Sequence, residues 1–221
     1  MTSANSASDA SSDTSSDTSL RERLIDVGVD LVTTDGPAAL GLREIARRAG
    51  VSHGAPRRYF PTHRALLSAI ARRGFAELGE RIADVAGAAG PPREQLAALA
   101  RAYVGFALER RGMFELMFRH DLLNSEGEHE EEAADGPRLR ESTVPLFGML
   151  VERVARCGGS EPAGVTAAAL WANLHGIAQL WRWGSLQLAM GGPAAGGAPD
   201  AELLDRLVAA ALDAHLGPVA R

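Results

Sequence analysis

The chain has 221 residues, 46% of them hydrophobic, enough for one medium domain or a small and a larger one to bury a core. Its formal net charge is −5, all 23 basic residues are arginine, and the single Cys157 excludes an intrachain disulfide scaffold. Sparse aromatics, frequent alanine and no β-branched runs favour helices over sheet, the lone cysteine fits a reducing cytosol, and without a basic and an apolar N-terminal region no signal peptide is expected.

Residues 1–19 are Ser, Thr, Ala, Asn and Asp with almost no apolar bulk, a composition that predicts a disordered tail. A first helix is predicted from about Leu20 to Thr33, with Leu24, Val27 and Leu31 along one face. It stops before Asp35-Gly36-Pro37.

Leu42 to Leu67 then reads as two short helices joined by a tight turn, with a third helix following at once. Gly50 suits the left-handed residue that ends a helix, Val51 can pack between the helices, and Ser52 is a good N-cap. This is the pattern of a helix-turn-helix, whose second helix can enter the DNA major groove. Leu42–Gly74 holds eight arginines against one acid, Glu44, a net charge of +7 that leaves −12 for the rest. A basic module on an acidic body is the electrostatic footprint of DNA binding. Pro56 removes a first-turn hydrogen bond, so the second helix should begin tighter or later than usual.

From about Arg64 to Ala86, Ala71, Phe75, Leu78, Ile82 and Val85 recur at helical spacing, which predicts one long amphipathic helix. Gly90-Pro91-Pro92 breaks the chain. Helices are then expected to about Arg111 and over Met113–Phe118, followed by an acidic loop over Asn124–Pro137. Three more are expected at about Arg138–Arg156, Ala163–Leu188 and Asp200–Leu216, with Pro145 in the first turn of its helix or kinking it. A flexible loop, Gly191–Pro199, separates the last two. Pro162–Trp181 is uncharged and long enough to span a bilayer, but its Thr, Asn, His, Gln, Gly and Ala content favours a buried helix. The fold class is therefore all-α, with a small unit over 20–66 and a larger one over 67–221.

Gly36, Arg43-Glu44-Ile45-Ala46, Ala49-Gly50-Val51-Ser52, Gly54, Phe60 and Leu66-Leu67 resemble the N-terminal pattern of the TetR family of bacterial transcriptional regulators. Trp171-Ala172-Asn173-Leu174-His175-Gly176 is similar to the Trp-His-Gly signature of one C-terminal subgroup. The resemblance implies a homodimer built on the last two helices, a ligand cavity in each larger unit, and DNA affinity set by that ligand. Four positions depart from the family pattern: Gly41 replaces a threonine, Pro56-Arg57 a Leu-Tyr pair, and His63 a lysine.

By resemblance, Arg57 takes the base-contacting position, where an arginine pairs naturally with guanine. Gly54 allows close approach, and His53 and Ala55 lie in the same stretch. Arg58, Tyr59, His63 and Ser52 fall on phosphate-contacting positions, with Arg43 and Arg47 as additions. Phe106, Phe114, Met117, Phe118, Met149, Trp171 and His175 could line a largely apolar effector cavity, or could simply be core. Leu203, Leu204, Leu207, Val208 and Ala211 give the last helix a broad apolar face suited to a dimer interface.

His129 among Glu126, Glu128, Glu130, Glu131 and Glu132 lacks ordered ligand spacing and reads as a solvated acidic loop. No phosphate loop, HExxH, CxxC or Gly-x-Ser-x-Gly is present, so neither catalysis, metal nor cofactor is expected. The combined reading is a dimeric regulator of a palindromic operator, most simply a repressor released by a small molecule. The alternatives are an activator or constitutive DNA binder, or a helical protein-interaction or ligand-carrier module.

Overall fold

The structure, a computed structural model, describes residues 7–87, 89–119, 123, 139–158, 161–191 and 201–218. Every regular element among them is helical. The chain divides into two compact units, Met1–Gly74 with Gly112–Glu130, and Phe75–Arg111 with Glu131–Arg221. The division falls at Gly74–Phe75, inside a continuous helix, rather than at the expected 66/67.

The first unit contains α1 (Ala7–Thr34), a 3-10 turn (Pro37–Ala39), α2 (Leu42–Arg48), α3 (Pro56–Tyr59), the start of α4 (His63–Ala86) and most of α6 (Arg111–Met117). Helix α1 begins at Ala7, so the expected disordered tail is corrected over 7–19. No glycine or proline precedes Gly28, and a helix once nucleated propagates at little cost through residues that do not oppose it. Leu24, Ile25, Leu31 and Val32 of α1 are buried with Ile45 and Ala46 of α2 and with Leu66, Leu67 and Ile70 of α4. The Thr62 hydroxyl accepts a hydrogen bond from the Ala65 N–H at 3.0 Å and so caps α4.

The second unit holds the rest of α4 with α5 (Pro92–Glu109), α7 (Leu139–Cys157), α8 (Ala163–Arg182), α9 (Ser185–Ala189) and α10 (Ala201–Leu216). Helix α8 packs on α5, α7, α9 and α10 and is the centre of this unit. Its Ala167, Leu170, Leu174, Ala178 and Trp181 are buried. The helix expected over 163–188 is two: Gly184 adopts φ 75° and ends α8. In that left-handed conformation a Cβ would crowd a backbone carbonyl oxygen, which favours glycine. Pro145 lies inside α7, beyond its first turn. Arg81 bonds Glu109 at 2.6 Å and Arg110 bonds Glu77 at 2.8 Å, which straps α4 to α5, while Arg153 donates to the Ala86 carbonyl at 3.0 Å.

No helix among the described residues is long and apolar enough to cross a membrane. The acidic loop expected over 124–137, with His129, lies outside the described residues, as do 192–199 of the loop before α10.

Candidate nucleic-acid interface and effector site

Helix α2 starts at Gly41, whose carbonyl accepts from the Ile45 N–H at 3.0 Å without any side-chain cap. It ends in a Schellman turn: Gly50 has φ 68°, its N–H bonds the Arg47 carbonyl at 3.2 Å, and the Val51 N–H bonds the Ala46 carbonyl at 3.0 Å. The chain then tightens through i→i+3 bonds, Ala55 to Ser52 at 3.0 Å, Arg57 to Gly54 at 3.3 Å and Arg58 to Ala55 at 3.1 Å. Regular α3 begins only at Pro56, the late and tight start that a missing N–H imposes.

Its end has an equally local cause. Phe60 precedes Pro61, and the proline ring pushes it to φ −133° and ψ 98°. Two prolines therefore confine the second helix to four residues. The N-cap position is Ala55 and carries no side-chain bond, so the expected capping role of Ser52 is corrected.

Arg43, Arg47, Ser52, His53, Gly54, Arg57, Arg58 and His63 are exposed, and Ala55 and Tyr59 half-buried. Pro56 points inward and is buried. Among the described residues, Arg43, Arg57 and Arg58 carry no ion pair, so their guanidiniums are available to an anion. Arg47 and Arg48 are different. Arg47 grips Glu44 through Nε at 2.8 Å and Nη2 at 2.5 Å, and Arg48 bonds Glu44 at 2.8 Å and Asp35 at 2.7 Å. Hydrogen bonds from Arg47 first and Arg48 second lower the Glu44 carboxyl to about 2. The His63 ring bonds the Leu40 carbonyl through Nε2, and since a carbonyl only accepts, Nε2 carries the proton. The nitrogen left for a phosphate is Nδ1. That tie between the starts of α2 and α4 has no signature in the sequence.

The residues expected to line one cavity are divided between the two units. Phe114, Met117 and Phe118 belong to the first unit, where the two phenyl rings lie 4.9 Å apart. Phe106, Met149, Trp171 and His175 belong to the second. Helical spacing marks a buried face but does not reveal which core it faces, and α6 joins the other one. Phe106 is fully buried beneath the Arg81 guanidinium, 5.3 Å from the ring centroid.

Trp171 and His175 belong to a hydrogen-bonded chain. Arg182 can only donate, so its 2.9 Å bond identifies the Gln179 atom facing it as the amide oxygen. The Gln179 amide nitrogen then faces His175 Nε2 at 3.3 Å and donates to it. The ring proton accordingly sits on Nδ1 and is given to the Tyr103 oxygen at 2.8 Å, which also accepts the Trp171 indole N–H at 3.1 Å. Burial, with a smaller contribution from Arg182, pushes the His175 pKa down, and burial pushes the Tyr103 phenol up. Tyr103 is the residue that sequence reasoning missed, because its i, i+3 spacing from Phe106 marks only a buried helix face. A cavity of about 460 Å³ opens elsewhere, at the ends of α7, α8 and α10, lined by Val154, Glu161, Thr166, His215 and Leu216 among others.

Of the residues expected at a dimer interface, two are taken up within the chain. Val208 and Ala211 are buried within the chain, and Leu203, Leu204 and Leu207 are half-buried. Helix α10 packs on α5 and α8, and Arg101–Asp205 at 2.6 Å and Arg93–Asp213 tie it to α5. The part of its apolar face at Val208 and Ala211 is therefore turned to its own unit. Among the described residues, α8 exposes Val165, Ala168, Ala169, Ala172 and Leu180, and α10 exposes Ala209 and Ala210.

Residues 24–70 match the family model described as bacterial regulatory proteins, tetR family. Residues 96–211 match the tetracyclin repressor-like C-terminal domain, a description that does not distinguish the Trp-His-Gly subgroup. A solved structure of a protein with unknown function from Rhodococcus sp. RHA1 is 32% identical, with a TM-score of 0.69 over 89% of this chain and 93% of that one. A TetR/AcrR-family regulator from Thermobifida fusca YX-ER1 is 21% identical, with a TM-score of 0.60 over 91% of this chain and 98% of that one, a likeness of fold. The HTH-type transcriptional regulator BetI of Rhizobium meliloti is 35% identical over 81 residues, 37% of this chain and 40% of that protein. An uncharacterized HTH-type transcriptional regulator of Mycobacterium tuberculosis is 38% identical over 68 residues, 29% of this chain and 34% of that protein. The matched stretch thus spans well under half the length of these curated relatives.

Proposed function

The chain belongs to the TetR family of bacterial regulatory proteins, and from that premise we propose that it is a DNA-binding transcriptional regulator rather than an enzyme. It acts in the cytoplasm as a dimer that represses from a palindromic operator and is released by a small, largely apolar effector. The observation that carries this reading is Arg57 and Arg58, adjacent, exposed and without ion pairs among the described residues, on the second helix of a helix-turn-helix. Adjacent residues of a helix project about 100° apart, so Arg57 can reach base edges while Arg58 takes the backbone.

The exposed small-residue face of α8, flanked by Ala209 and Ala210 of α10, supports a second copy as its cover. In such a dimer two recognition helices about 34–36 Å apart would read successive major grooves. Effector binding that favours another spacing would depopulate the DNA-competent state. Trp171 and His175, joined through Tyr103, are the polar groups that support an orienting role toward an effector in the second unit.

The test is selection of duplexes from a randomised pool, followed by affinities for the selected site. Arg57→Ala should cost about 1–3 kcal/mol on that site and relax one position per half-site. Arg58→Ala should weaken all duplexes alike and lower the salt slope by about 1 per half-site. Selection of no sequence at all would overturn the operator reading.

A further inference from the structure

One acid in the basic module serves two arginines, and the two are not held equally. Arg48 is bonded to Glu44 and also to Asp35 at the end of α1, so it belongs to the scaffold. Arg47 has Glu44 alone for a partner in these ion pairs, and its side chain is 65% exposed. The Arg47 fork meets the carboxylate at two points, through Nε and Nη2, which is the geometry in which a guanidinium takes a phosphate. Arg43, one turn earlier on α2, is exposed and carries no ion pair among the described residues. A phosphate that reached Arg47 would therefore meet a second positive charge on the same face.

We propose that Glu44 is an internal stand-in for DNA phosphate, a counter-ion that holds Arg47 in place until the backbone of a duplex displaces it. The exchange is cheap because Glu44 is not orphaned by it: the Arg48 Nε bond at 2.8 Å stays. The lowered carboxyl keeps Glu44 ionised at any pH where the protein would meet DNA, so the exchange answers to phosphate and not to protons. This inference rests on the DNA-binding reading and deepens it. It assigns Glu44, conspicuous in the sequence only as the lone acid of the module, the role of setting affinity downward through a neighbour.

An exposed pair of this kind is worth little, so releasing Arg47 in advance should tighten binding by about two- to five-fold. The experiment is a two-by-two cycle on the full chain: wild type, Glu44→Gln, Arg47→Gln and the double variant. Affinity is read with a fluorescent mixed-sequence duplex long enough for two half-sites, since the phosphate contribution does not depend on sequence. Glu44→Gln should bind more tightly than wild type, and the gain should vanish when Arg47 is already glutamine. An equal gain in both backgrounds would make Glu44 a simple repeller of DNA and overturn the exchange, as would no gain at all. A wild type that binds no duplex would instead remove the DNA-binding reading, and this inference with it. Melting curves check that each variant folds, and Glu44→Ala, a good helix former, gives the same comparison should the amide disturb α2.

Discussion

His175 is kept neutral in the second unit because burial penalises its charged form and Arg182 adds to the penalty. Its folded pKa therefore lies below the value of about 6.5 that the unfolded chain would show. Between the two the unfolded state binds more protons, so this contribution is fully present above the unfolded value and is lost as pH falls through the folded one. Protonation would also place a hydrogen on Nε2 against the Gln179 amide and break the chain running from Arg182 to Tyr103. Melting temperature should accordingly fall as pH is lowered from about 7 to 5, and less steeply in His175→Gln. Parallel slopes for the two proteins would show that the ring does not titrate with unfolding. The position of His175 one turn from Trp171 was legible in the sequence. Its partner Tyr103 was not, because the two are brought together by packing across 72 residues.

Local chemistry wrote the shape of several elements. Pro56 and Pro61 confine α3, Gly50 turns the chain after α2, and Gly184 ends α8 before α9. The role of Gly112 is of another kind. It sits where α6 crosses close to α1, and a Cβ there would run into the Val32 carbonyl oxygen and the Gly36 backbone. Gly112→Ala should therefore push α6 off α1 and cost about 1–3 kcal/mol, as overpacking does. Denaturant unfolding would measure it, and a change within error would show that α6 shifts freely. Nothing local announced this contact: the meaning of Gly112 comes from a backbone 80 residues away in the chain.

For the molecule as a whole, helix α8, which carries no charge before Arg182, is the revealing feature. Helix α8 has one face in the core and another, with Val165, Ala168, Ala169, Ala172 and Leu180, exposed. A helix of such composition that stays half in water is what a second copy would cover. Ala172→Glu would bury an unpaired charge in that contact, at a cost of several kcal/mol. Sedimentation should then show a monomer with an unchanged helical content. A variant that remains dimeric would place the contact on another surface.

By itself the sequence determined the all-helical class, the helix-turn-helix and its late second helix, the long α4, and the basic surface with Arg57 and Arg58 upon it. These rest on glycine and proline stereochemistry, on helical periodicity and on charge, all of which act between near neighbours. Tertiary structure alone decided that α6 belongs with the first unit, that Val208 and Ala211 of α10 are buried in their own unit, and that Arg47 is held by Glu44 while Arg57 has no ion pair among the described residues. Periodicity records that a face is buried, and charge counts record that an arginine is present. What covers the face or pairs the charge depends on how distant segments meet, and no spacing along the chain encodes that by itself.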